Sequence, residues 1–219
     1  MEFLMIFLAV TMGFFAENIR EYFAEEKIAK EYLETFQQEL NHNKKIFHNY
    51  DSLYAYLMPL QDSAVNLFFR EKENNDLHVT GSLVGSVNIV ISPSIDISAY
   101  QQLVNSGGLR YIHNVALKDS MSKYAGQIQS FENYNFVKNT QIANLFSQLT
   151  SLEDIHDEIS PTHIPEIKPY PQLTERERRL IVSYYRTSYI QSFGNKLLLQ
   201  DLNTHNESLL KITKNELNK

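Results

Sequence analysis

Hydrophobic positions near the start of the chain have no period. From Phe3 to Ala16 no residue is charged and only Thr11 is polar; then Glu17, Arg20, Glu21, Glu25, Glu26 and Lys27 follow in quick succession. A helix packed against a core shows polar residues with a period of 3.6. Here every face is apolar until Glu17, so the pattern predicts a membrane helix that leaves lipid near that residue. The run of 14 residues makes about 21 Å of helix, against a hydrocarbon thickness of roughly 30 Å. That short span implies tilt, local thinning or a start upstream of Met1. A cleaved export signal fits less well. No basic stretch precedes the run, and Phe14-Phe15 puts bulk where a small residue is wanted before cleavage at Ala16. Ala9, Gly13 and Ala16 fall on one face at steps of four and three. Small residues so placed let two membrane helices approach closely, which predicts a helix-association face.

Beyond the anchor the steps become three and four. Leu33, Phe36, Leu40, Phe47, Tyr50, Tyr54 and Leu57, with Asn43 in the skipped place, predict an amphipathic helix continuous with the anchor. It should run to Met58, where Pro59 kinks or ends it. An apolar segment, Leu60 to Phe69, leads into the polar "REKENND". Residues 77–92, "LHVTGSLVGSVNIVIS", are the one β-like stretch: Val87, Ile89 and Ile91 alternate, and Gly81-Ser82 could close a hairpin. An isolated hairpin is marginal in water, so an extended loop against the helices is the preferred reading. Pro93-Ser94 opens a short helix, Asp96 to Ser106, that Gly107 and Gly108 terminate. Asn114 is placed to cap the next helix. Its stripe is Leu117, Met121, Tyr124, Ile128, Phe131, Ile142, Leu145, Leu149 and Leu152, interrupted at Asn135 and Lys138. This heptad spacing predicts a helix-on-helix seam. Four prolines between residues 161 and 171 break the chain. Thr174 and Glu177 then form a capping box for a last helix, which carries Leu180, Ile181, Tyr184, Tyr185, Ile190, Leu197, Leu198, Leu202, Leu209 and Ile212. The expected fold is all-α: a transmembrane helix (1–19) continuing into an elongated helical bundle, with at most one small β-hairpin. Its parts are a juxtamembrane helix and continuation (20–72), a loop or hairpin (73–95), a short and a long helix (96–154), a proline-rich connection (155–173) and a C-terminal helix (174–219).

Composition removes several classes of function. With 0 Cys among 219 residues, disulfide scaffolds, thiol catalysis and thiolate zinc sites are excluded. The net charge of -6 offers no electrostatic footprint for nucleic acid. Only 7 Gly and 6 Pro argue against a sandwich of many tight turns. His156 and His163 lie near Glu153, Asp154, Asp157 and Glu158 without a fixed ligand geometry, and a solvated acidic helix end explains them better than a metal site. His42 and His48 fall on different faces, and His113 adjoins the Asn114 cap. "NSGGLRYIHN" matches neither phosphate-binding glycine pattern; helix termination explains Gly107 and Gly108. Arg176, Arg178 and Arg179 alternate with Glu175 and Glu177 as a solvated face does. The 13 Tyr read as core residues with hydroxyls at the rim. No catalytic, cofactor-binding or metal-ligating residue is assigned, and no cofactor is expected.

Two segments carry a resemblance. "EFLMIFLAVTMGFFAENIREYFAEEKIAKEYLETFQQEL" and "SAYQQLVNSGGLRYIHNVALKDSMSKY", roughly a third of the chain together, resemble a family of membrane-anchored bacterial proteins of unknown function. In that family an apolar helix with a central Gly leads into an EN-x-RE segment. A second stretch has an aromatic, a Leu, a Ser-Gly pair and an Ile-x-Asn step. The resemblance implies a bacterial inner-membrane protein and supplies no mechanism. The family's basic N-terminus, lacking here, implies a soluble domain in the periplasm, while Arg20, Lys27 and Lys30 after the anchor count the other way. The function expected is a non-enzymatic, membrane-tethered interaction or scaffold module. Its partners would be the lipid bilayer and a second copy or another membrane protein. The alternative is a sensor-like domain with a small ligand between its helices, and an enzyme stands third.

Overall fold

Three stretches of the chain place a core side chain at alternating steps of three and four, and each forms a long helix. The computed structural model describes residues 2–74, 93–150 and 174–218. Among these, the elements are α1 (Glu2–Asn74), α2 (Ser98–Asn105), a 3-10 turn (Gly108–Tyr111), α3 (Val115–Thr150) and α4 (Glu175–Leu217). The fold is all-α, with no strand among the described residues. The hairpin considered at 77–92 and the proline-rich connection lie outside them.

On α1 the buried face is Leu33, Phe36, Leu40, Asn43, Phe47, Tyr54, Leu57 and Gln61, with Tyr50 half-buried in its place in the series. The helix does not end at Met58: it passes Pro59 and continues to Asn74. Proline removes one helical hydrogen bond and crowds the carbonyl four residues back. Both Pro59 and Ala55 are exposed, so water can solvate that carbonyl. Tyr54, Leu57 and Gln61 are buried on either side of it, so the helix stays packed across the proline.

The short helix α2 starts later than expected, at Ser98 rather than Asp96. Asp96 stays outside and accepts the Ser98 N–H through Oδ1 at 2.9 Å. At the other end Gly107 takes the left-handed conformation, φ 71°, and donates to Val104 O at 3.1 Å. Gly108 has a different requirement. A Cβ there would sit 2.7 Å from Tyr32 Cε2, so this glycine admits an aromatic ring from α1.

Asn114 caps α3 by accepting the Leu117 N–H at 3.0 Å. The buried face of α3 is Leu117, Met121, Tyr124, Ile128, Phe131, Asn135 and Ile142, with Lys138 half-exposed in the one skipped place. The capping box of α4 is formed: Thr174 N–H donates to Glu177 Oε2 at 2.5 Å and Glu177 N–H to Thr174 Oγ1 at 3.3 Å. The rest of α4 departs from expectation. Ile190 and Leu197 point outward and are exposed, with Phe193 between them. The buried face is instead Ile181, Tyr185, Ser188, Ser192, Asn195, Leu199, Leu202, Asn206, Leu209 and Thr213. Those steps alternate four and three without interruption, and half the positions are polar.

The chain divides into two compact units. The first comprises Met1–Lys44, Ile95–Gly126 and Thr204–Lys219. Its buried side chains include Leu33, Phe36, Leu40, Leu103, Ile112, Leu117, Met121 and Leu209. The second comprises Lys45–Ser94 and Gln127–Asn203, with a core of Phe47, Tyr54, Leu57, Phe131, Tyr184 and Tyr185.

Candidate functional site

Two features stand apart from ordinary packing: an apolar helix surface with nothing on it, and polar residues in core positions. The first is the start of α1. Phe3 is 83% exposed, Phe14 68% and Phe23 63%, and the large side chains between them are exposed on every face. Monomers in water rarely show contiguous apolar patches beyond a few hundred Å². Thr11 turns its hydroxyl back to Phe7 O at 2.7 Å, so it presents no free donor outward. Arg20 pairs with Glu17 one turn away. No part of the apolar window is buried, which is the opposite of a core helix. The helix is long and apolar enough to cross a membrane. Ala9, Gly13 and Ala16 are exposed on it, and a Cβ added at Gly13 would meet nothing within 4 Å.

The second feature in the first unit is a run of hydrogen bonds. Asn43 faces the backbone of Asp96, donating from Nδ2 to its carbonyl at 2.7 Å and accepting its N–H at 2.9 Å. The same Nδ2 lies 3.3 Å from the Tyr124 hydroxyl. Tyr124 donates to Asn206 Oδ1 at 2.9 Å, and Asn206 Nδ2 donates to Leu40 O at 2.9 Å. One amide–phenol–amide chain thus ties α1, the segment before α2, α3 and α4. Burial holds the Tyr124 phenol well above its ordinary value, so it remains a neutral donor. Glu39 lies beside this chain at 5% exposure. Its Oε2 accepts the Ala99 N–H at 2.5 Å, completing the first turn of α2, while Oε1 has no partner. Burial pushes the carboxyl up to about 7; the Ala99 amide opposes this, Asp96 adds to it and the Tyr100 amide opposes it.

The second unit repeats the device. Asn195 Nδ2 donates to the Tyr54 hydroxyl at 2.8 Å and to Asn135 Oδ1 at 2.7 Å, and Asn135 Nδ2 donates to Phe131 O at 3.2 Å. Gln191 donates to Asn139 beside it. Burial again raises the Tyr54 phenol, and it pushes Tyr184 up to about 12. Amides and neutral phenols hold geometry; none is a nucleophile or a proton carrier near neutral pH.

Ser120 Oγ and His205 Nε2 are 2.9 Å apart, the contact from which a nucleophile and base are built. Both sit inside helices, where the backbone N–H groups are already bonded in the ladder, so neither helix offers the serine a free backbone donor for an oxyanion. Burial, then the Lys123 charge, holds His205 below its ordinary value, and Tyr124 packs edge-on against its ring at 5.5 Å between centroids. The pair is a packing contact. Among the described residues no group of three His, Asp or Glu could hold a metal ion; His156 and His163 lie outside them. A cavity of about 420 Å³ opens on α1 just past the apolar segment, bordered by Phe23, Glu26, Lys27, Lys30, Tyr111, His113 and Glu216. A second groove, about 460 Å³, lies along Tyr32, Thr35, Gln102 and Ser106.

Asn43 and Asn135 are visible in the sequence as gaps in apolar stripes. Glu39, Asn195 and Asn206 are not, because nothing in composition separates them from solvated polar residues; only their heptad register marks them. Fold and surface together define an all-α protein with one N-terminal helix able to cross a membrane. No protein-family model matches the chain, and neither a curated protein nor a solved structure shows significant similarity to it.

Proposed function

We propose that the protein is a single-pass, membrane-tethered helical interaction or scaffold module with no catalytic role. The observation that carries this reading is the apolar start of α1, exposed on all faces and continuous in one helix with a packed core. A helix that only packed inside the protein would bury a stripe, and this one buries none of its apolar window. The interaction part rests on the outward face of α4. Ile190, Phe193 and Leu197, at steps of three and four, leave about half of each side chain in water, a stripe that a partner helix would cover. The cores are filled by Tyr, Phe and amide side chains, several of them hydrogen-bonded to one another, which favours a scaffold over a ligand held between helices. The resemblance to membrane-anchored bacterial proteins supports placement in a bacterial inner membrane with the soluble part in the periplasm.

After alkaline extraction the chain should stay with the membrane, and its intact mass should include Phe3 to Ala16. Alkaline phosphatase fused after Lys219 should be active. A soluble chain, or a mature form starting near Phe14 or Glu17, contradicts the anchor; a fusion active only in the cytosol reverses the orientation.

A further inference from the structure

We infer that the outward face of α4 pairs with the same face of a second copy in one membrane. The contact is a short parallel two-stranded coiled coil, with Ile190, Phe193 and Leu197 at its seam and Lys196 of each copy against Asp201 of the other. This rests on the tethered-module reading above and deepens it by naming the partner.

The seam is written into the period of α4. Ile190, Phe193 and Leu197 take the a, d and a positions of a heptad. The fold uses the remaining faces: Ser188, Gln191, Ser192, Asn195 and Leu199 are buried and fall at b, c and f. One stretch of helix therefore carries two faces, a mostly polar one turned into the fold and an apolar one turned away from it. The three outer side chains keep about half of their surface in water. Arg186 and Gln200, exposed at the neighbouring d positions, close the seam at its two ends.

The charges choose the partner. Positions e and g flank a seam and set which helices pair and in which direction. Lys196 is at g, and Asp201, five residues on, is at e. In a parallel pair, g of one helix lies beside e of the next heptad on the other. Lys196 then meets the second copy's Asp201, and the two-fold repeats the pair. An antiparallel pair sets g against g and e against e, which puts Lys196 on Lys196 and Asp201 on Asp201. Within one helix, side chains meet at steps of three and four, so these two do not serve each other. Neither forms an ion pair among the described residues. The stripe is thus complementary to itself, and in the parallel sense only. That sense suits the anchor. In this unit α4 runs alongside α1, since Gln200 donates to Asp51 and Asn195 to Tyr54. Copies standing on one membrane by α1 set their α4 helices the same way up. Three half-exposed side chains per copy bury far less than the roughly 1,200 Å² of a stable soluble complex. The pair therefore needs the anchors, which confine both copies and raise their effective concentration.

The chain has 0 Cys, so a single cysteine on the seam reports its own neighbour. In membranes holding the full chain, Ile190→Cys should give a disulfide-linked dimer under mild oxidation. Phe136→Cys, at a position 74% exposed on α3, should not. In the Ile190→Cys background, Lys196→Glu turns two attractions into two repulsions and should cut the linked fraction at least about threefold. Adding Asp201→Lys should restore it, a rescue that a merely misfolded variant would not show. Absence of the linked dimer overturns the pairing, and so does equal linking at position 136 or indifference to Lys196→Glu and its rescue. Preferential linking of Ile190→Cys to Leu197→Cys, in mixed chains, would show an antiparallel pair and overturn it too. None of these outcomes touches the anchor, which fails separately if alkaline extraction releases the chain from the membrane.

Discussion

Glu39 is a carboxyl that accepts the Ala99 amide through Oε2, has an unpartnered Oε1 and is almost without water. Burial raises its value from 4.5 to about 7 in the folded chain. The stability it contributes is complete below pH 4.5, where folded and unfolded forms both hold the proton. It is lost as the pH rises through 7, about 3 kcal/mol in all. Asp96, lowered by the Ser98 amide, acts in the opposite sense: its contribution is lost as the pH falls below its ordinary range. The thermal stability of the wild type should therefore fall between pH 4.5 and 7, and Glu39→Gln should flatten that slope; equal slopes would rule out a neutral Glu39. Asn206 presents a different residue-level problem. It is fully buried and holds both the Tyr124 hydroxyl and the Leu40 carbonyl. Asn206→Ala strands both, at a cost of roughly 3 kcal/mol. Lys44→Ala breaks only the exposed pair with Glu207 and should cost under about 1 kcal/mol. Parallel melts of the two variants rank the contacts.

At the scale of elements, the helices were legible wherever their core positions are apolar. Leu33 through Leu57 and Leu117 through Phe131 mark α1 and α3 in sequence, and Asn114, Thr174 and Glu177 mark two starts by their capping chemistry. Register on α4 was not legible. Its buried heptad alternates Ser188, Ser192, Asn195, Asn206 and Thr213 with apolar residues, while Ile190 and Leu197 face outward. A search for apolar stripes therefore assigns those two to the wrong side. Pro59 does not end α1, which runs on to Asn74, because Tyr54, Leu57 and Gln61 are buried on either side of it. The Gly107-Gly108 pair looks like one signal and is two. Gly107→Ala should cost about 1 kcal/mol through its left-handed backbone. Gly108→Ala should cost about 1–3 kcal/mol by overpacking against Tyr32. In a Tyr32→Leu background the second cost should shrink and the first should not. A Gly108→Ala penalty that is the same in both backgrounds would remove close approach as the reason for that glycine.

At the scale of the whole molecule, the proposed membrane anchor raises the question of what covers the small-residue face of α1. Leucine, phenylalanine and methionine side chains are as well solvated by acyl chains as by one another, so they give two anchors no reason to associate. Ala9, Gly13 and Ala16 are different: exposed, small and on one face, they leave a shallow groove that lipid tails fill poorly and a second helix fills well. The space over Gly13 is open. An uncharged run about 9 Å shorter than the hydrocarbon adds a second drive, since association relieves part of the mismatch. We therefore expect the full chain to self-associate in membranes through this face. Gly13→Leu fills the groove at the point of closest approach and should weaken association by roughly 1 kcal/mol or more, several-fold in the association constant. Lys45→Ala, on an exposed position far along α1, should change nothing. Crosslinking in membranes or single-molecule photobleaching reads both variants directly. A chain that is monomeric at its native density, or an oligomer indifferent to Gly13→Leu, would leave Ala9, Gly13 and Ala16 as lipid-facing positions and move the search for a partner to the Ile190, Phe193 and Leu197 face of α4.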